Sequence, residues 1–171
     1  MLLALLSLFI GDAWAKEKPE DLTVFLAQVF GEPPRKPKMK YLSDIERERI
    51  SDILSHSLSF RRVRYWRKSA SSVWLLEEVG KHKPITAGFW LEKGIIKKVK
   101  VLAFRESRGW EIKYPYFLKQ FNGVFLLENT VLSTKVDGIS GATLSVRAMT
   151  KMARIALYLN QQVTLPQAPQ I

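Results

Sequence analysis

The chain has 171 residues, 47% of them hydrophobic, no cysteine and a net charge of +11. That length and apolar content suit one domain with a real core and exclude a disordered chain. The missing cysteines exclude disulfides, thiolate iron–sulfur clusters, thioether-bound haem, a lipoprotein anchor and a cysteinyl flavin, while the excess of base favours anionic partners.

Leu2 to Ile10 is an apolar run, closed by Asp12 and followed by Ala13-Trp14-Ala15. The run is too short to span a bilayer, and small-x-small is the signal-peptidase pattern. The expectation is a signal peptide over residues 1–15, cleaved after Ala15, with the protein periplasmic or exported; a buried N-terminal helix is the alternative. Loss of Asp12 with the leader would raise the net charge from +11 to +12. Export argues against nucleic acid and leaves an anionic membrane surface or an acidic redox partner.

Residues 16–42 are rich in Pro and Lys and read as an N-terminal extension and linker. Leu22 to Phe30 is an apolar island that suits a short helix, and Gly31 to Pro37 reads as extended. Ser43-Asp44-Ile45-Glu46 is a capping box that opens a helix over about 44–56. Its core side is expected to carry Ile45, Ile50, Ile53 and Leu54, with His56 as a cation at its C-terminal end. Strand patterns follow over 61–67, 72–79, 85–92 and 95–104. Gly80 to Pro84 reads as a hairpin tip that carries His82. The two histidines do not form a metal-binding pair by spacing. Tyr114 to Gly123 reads as helix or loop, and Val124 to Leu127 as a further strand.

The last element is a helix over about 144–160, with Val146, Met149, Ala153, Ala156 and Leu157 at helical spacing. Residues 163–171 hold two prolines and read as a disordered tail. The domain proper is placed at 43–162. The fold expected is α+β: an antiparallel sheet of about four to five strands, packed against the N-terminal capped helix and the C-terminal helix.

Two segments carry chemistry. Asp137-Gly138-Ile139-Ser140-Gly141-Ala142-Thr143 ends a polar, turn-prone run just where the last helix begins. Thr143 therefore falls near the first turn, where unpaired N–H groups and the helix dipole favour an anion such as a phosphate. Upstream, Glu106-Ser107-Arg108-Gly109-Trp110 follows a strand, and Gly109 suits a turn with positive φ. No Glu–Glu, Ser–His or Cys–His constellation stands out, so a redox role would need an added organic cofactor.

The D-G-I-S-G-A-T segment resembles the flavinylation motif of the FMN-binding domain family. That family includes the C subunit of the sodium-pumping NADH:quinone oxidoreductase and the G subunit of the Rnf complex. The Glu-x-x-Gly segment 106–109 lies where many members of the family have one, and the resemblance spans roughly residues 58–160. It implies FMN joined by a phosphoester to Thr143, donated from FAD by a separate flavin transferase that uses a divalent metal. It also implies that Asp137, Ser140, Gly141 and Ala142 present the loop, with Asp137 either shaping it or binding the transferase metal. Ser140 would stabilise the phosphodiester or cap the helix. Glu106, Ser107, Arg108 and Gly109 would line the flavin, and Arg105 or Arg108 would stabilise its anionic reduced form. Trp110 would stack on the ring or else pack in the core. Ser107-Arg108 stand where the respiratory members have Thr-Pro, which points to small exported domains and to a membrane-bound or periplasmic redox partner. Two other functions stay open: a basic module without cofactor that binds anionic surfaces, and an oxidoreductase with non-covalent FMN.

Overall fold

A computed structural model of the chain describes residues 19–32 and 36–164. The expected signal peptide and residues 165–171 of the expected tail lie outside the described residues. Among these residues, five strands form one antiparallel sheet in sequence order. They are β1 (Lys38–Tyr41), β2 (Arg62–Lys68), β3 (Ser71–Val79), β4 (Pro84–Glu92) and β5 (Ile95–Phe104). Four α-helices accompany them: α1 (Pro19–Phe30), α2 (Asp44–Leu54), α3 (Pro115–Leu118) and α4 (Thr143–Thr164). The α+β architecture expected from the sequence is present, with α2 and α4 on one face of the sheet.

The inner face packs Trp74, Leu76, Ile85, Phe89 and Leu91 against Ile50 and Ile53 of α2 and the Met149–Ala156 stripe of α4. All five stripe residues expected on the last helix are buried. The outer face is covered by α1, through Phe25, Leu26 and Phe30 against Trp66, Val73, Leu75 and Leu102. A sheet covered on both faces explains why the interior of β3 is buried without alternation. On β5, Ile96 and Val99 both point inward although they are an odd number of residues apart. A register shift opposite Trp90/Leu91 leaves Lys97 as an extra residue and re-phases the strand.

Several expectations are corrected. Residues 16–42 were expected to be extension and linker, but Lys38–Tyr41 pairs with Arg62–Tyr65 as an edge strand and α1 forms a layer of the fold. Val124–Leu127 is not a strand; it contributes a single bridge between Leu126 and Leu132. α4 runs to Thr164, so Val163 and Thr164 are helix rather than tail. Helix α2 ends at Leu54, with Ser55 in the left-handed region at φ 59°, so His56 lies beyond it. Ile45 is 78% exposed instead of core-facing. The buried face of α2 runs through Glu46, Ile50 and Ile53 at i, i+4 and i+7, and Ile45 falls off that face.

Glu46 is buried because three groups use it. Its carboxylate accepts the Ser43 N–H at 2.8 Å and pairs with Lys40 Nζ at 2.7 Å, while its own N–H donates to Ser43 Oγ at 3.2 Å. The expected capping box is therefore complete. Ser43→Ala is expected to cost about 1 kcal/mol, a fall of roughly 2–4 °C in melting temperature for a chain of this size. Thermal unfolding followed by circular dichroism checks this.

Candidate functional site

Helix α4 begins where it does because of the turn before it. The Ala142 N–H donates to the Ile139 carbonyl at 3.0 Å, and Gly141, third of the four residues, has φ 80°. A turn of that kind needs a residue tolerant of positive φ at this position. Ala142 is the residue before the helix: it is buried, and its carbonyl accepts the Val146 N–H at 3.0 Å. Thr143 occupies the first helical position and is exposed, as are Asp137, Gly138, Ser140 and Gly141. The helix-capping position thus falls to Ala142 and not to Ser140.

The loop is held from two sides. On one side Gln120 Oε1 accepts the Asp137 N–H at 2.7 Å. On the other lies Gly109, whose φ is 85°. A Cβ placed on Gly109 would stand 2.8 Å from Ser145 Oγ and 3.4 Å from Ala142 Cβ. The Glu-x-x-Gly segment and the first turn of α4 are therefore in direct contact, although more than thirty positions separate them.

Glu106 acts as a clasp. Its Oε1 accepts three successive backbone N–H groups of the β3–β4 hairpin tip, from Lys81, His82 and Lys83, at 2.6, 2.5 and 2.9 Å. These bonds, that from Lys83 first, hold the carboxyl below the ordinary glutamate range. Gly80 lies in the same joint: a Cβ there would be 3.2 Å from Glu106 Oε1 and 3.5 Å from Ser145 Oγ. Glu106 thus ties the hairpin tip to the loop that supports α4. Ser107 and Arg108 are exposed. Arg105 turns to the sheet, where its Nη1 donates to the Pro84 carbonyl at 3.0 Å and to Thr86 Oγ1 at 3.2 Å. Arg108 is then the arginine of this segment that is open at the surface. Trp110 is 46% exposed, so it is not a core residue, and Tyr114 meets it edge-on at 5.1 Å.

Ser145, Gly80, Gln120 and the 81–83 amides belong to the site but were not assigned to it from the sequence, where residues 80–84 read only as a hairpin tip. Ser145 alone gave a signal, as a polar residue on the buried stripe of an amphipathic helix. The rest are brought in by contacts distant in sequence.

His56 sits elsewhere, at a cavity of about 650 Å³ lined by Leu54, Phe60, Val63, Leu76 and Glu78 among others. No residue of either motif lines it. Two of its polar lining groups pair with each other, His56 Nε2 lying 3.0 Å from Glu78 Oε1. We therefore assign the candidate site to the motif face. The bond to Glu78, and next that to the Ser57 carbonyl, raise the His56 pKa. A raised value in the folded state stabilises the fold fully below the unfolded value of about 6.5, and the gain is lost as pH rises through the folded value. His56 is half exposed, so the effect is screened. The expected result is a shallow decline in denaturation midpoint above pH ~6.5 that His56→Gln flattens.

The motif face can hold an anion and a flat ring. A helix of 22 residues directs its first-turn N–H groups and the positive end of its dipole at Thr143. Gly138 and Gly141 have open space where a side chain would stand. Trp110 and Arg108, both exposed, flank Gly109, which packs on that first turn. A phosphate ester of a flat aromatic cofactor fits this donor set. Among the described residues no group of three or more His, Asp or Glu could hold a metal ion.

Comparison with curated proteins gives no significant match. Residues 80–158 match the model of the FMN-binding domain family. The match starts at the hairpin tip held by Glu106, ends in α4 and encloses both motifs. Over these residues the chain is similar to the FMN-binding domain family, which supports a flavin-binding role.

Proposed function

We propose that this protein is an exported electron-transfer flavoprotein that carries FMN covalently on Thr143. The observation that carries the reading is an exposed Thr143 hydroxyl at the first position of α4, at the end of the D-G-I-S-G-A-T loop. In the attachment step Thr143 Oγ forms a bond to the FMN phosphorus of FAD. The pyrophosphate bond breaks, AMP leaves and the hydroxyl proton passes to a base. A separate flavin transferase with its divalent metal supplies that chemistry, so this chain needs no base of its own. Its own residues present the hydroxyl, and the helix dipole stabilises the phosphodiester. Arg108, next to Gly109 in the chain, would favour an anionic reduced flavin by Coulomb attraction. Trp110 offers a face for the ring.

A covalent tether keeps FMN from diffusing away outside the cytoplasm. The same reading therefore includes a signal peptide ending at Ala15 and a membrane-bound or periplasmic redox partner. The deciding experiment is denaturing electrophoresis of protein purified from its native host, with intact mass. A fluorescent band, an added FMN phosphoester mass and an N-terminus at Lys16 are expected. Flavin absorption in the native protein that is lost on denaturation would replace this reading by an oxidoreductase with non-covalent FMN. Absence of flavin absorption altogether would leave a basic binding module.

A further inference from the structure

The segment between the two motifs is anchored below and bare above. Ile112 and Phe117 are fully buried and fix it to the inner core. Between them Lys113, Tyr114, Pro115 and Tyr116 are exposed, and Lys119 follows, also exposed. Trp110, Tyr114 and Tyr116 form a row, with ring centroids 5.1 and 5.9 Å apart. Tyr114 is 41% and Tyr116 58% exposed. The one acid of the segment, Glu111, is turned inward, with Oε2 buried.

Further basic residues border this row. Arg108 adjoins it in the chain and is exposed. Gly80 and Gly109 both lie against the Ser145 hydroxyl, so the tip residues Lys81, His82 and Lys83 begin one residue from the point where the Trp110 segment begins. All three are exposed. Glu106, whose Oε1 accepts their amides, stays ionised and offsets one of these positive charges.

We propose that Trp110–Lys119, with the 81–83 tip, is a docking surface for an anionic lipid bilayer. Trp and Tyr are rings with a polar tip and settle at the headgroup level, half wet and half apolar. Lysines gain by lying near anionic headgroups. A protein partner is the poorer fit, because lysine is depleted at protein–protein interfaces and the cations of this segment and of the tip are mostly lysines. Docking here would hold Thr143 beside the membrane, since Gly109 joins the segment to the first turn of α4. The proposal goes beyond the flavin reading and does not require flavin to be attached.

The test is flotation of the protein, as isolated from its host, with two kinds of vesicle. One is phosphatidylcholine alone; the other contains about one-third phosphatidylglycerol, and affinity for it is expected to be at least ~10-fold higher. Lys113→Gln/Tyr116→Ser/Lys119→Gln should lose roughly 10-fold or more of that affinity. The three residues are exposed, so melting temperature and flavin content should hold. Lys97→Gln/Lys98→Gln removes two exposed charges on β5 and should change affinity little. Equal affinity for both vesicles would overturn the proposal. So would equal losses in the two variants, which would mean net charge and not this surface. A triple variant that keeps vesicle affinity but no longer takes electrons from an acidic partner protein would assign the surface to protein instead. The fluorescent band on the denaturing gel is unaffected by any of these outcomes, so the two readings fail separately.

Discussion

Thr143→Val is expected to abolish covalent flavin and leave the domain folded. Valine keeps the shape of threonine and removes the one oxygen that can form the phosphoester. Thr143 stands after the capping residue Ala142 and is exposed, so the packing change is small. Stability should move by no more than ~0.5 kcal/mol, or about 1–2 °C in melting temperature. Fluorescence of the denatured band should fall to background. Thr143→Ser retains a hydroxyl at the same place and should retain flavin. A valine variant that still carried flavin through denaturation would sink the attachment site, while one that failed to fold would point to a structural role for the hydroxyl.

Gly109→Ala is expected to be the most damaging single methyl group in the site. Gly109 has φ 85°, where an L side chain is strained by about 1–2 kcal/mol. The added carbon would also lie 2.8 Å from Ser145 Oγ, on the buried side of α4. Overpacking of that kind costs a further ~1–3 kcal/mol. Together the two amount to roughly 2–5 kcal/mol, a fall of about 4–20 °C in melting temperature. The two causes separate in the double variant Gly109→Ala/Ser145→Ala. Removing the hydroxyl relieves the clash and leaves the backbone strain, so about half of the loss should return. No recovery would show that the 106–109 loop does not press on α4 as described. An unchanged melting temperature in the single variant would remove the joint between the two motifs.

The amino-acid sequence determined by itself whatever depends on near neighbours. The capping box at Ser43–Glu46 places the start of α2, because both of its hydrogen bonds close within four residues. The alternation of β2, the turn at Lys93-Gly94 and the Met149 stripe of α4 are equally local, and they suffice for a meander with a C-terminal helix. The turn chemistry of Ser140-Gly141-Ala142 brings Thr143 to a helix start, and the flavinylation motif is legible there. Tertiary structure alone decided what each buried face meets. The Leu22–Phe30 island reads as a helix, but its pattern does not say that it covers the outer face of the sheet. Lys38–Tyr41 is a strand because β2 offers an open edge, not because of its own propensity. Ile45 looks like core until Glu46 is recruited by Ser43 and Lys40, which fixes the rotation of α2. Glu106 reads as a cofactor contact. In the folded chain its Oε1 is occupied by amides more than twenty residues away. Such contacts follow from the geometry of the assembled sheet, and local propensity carries no record of them.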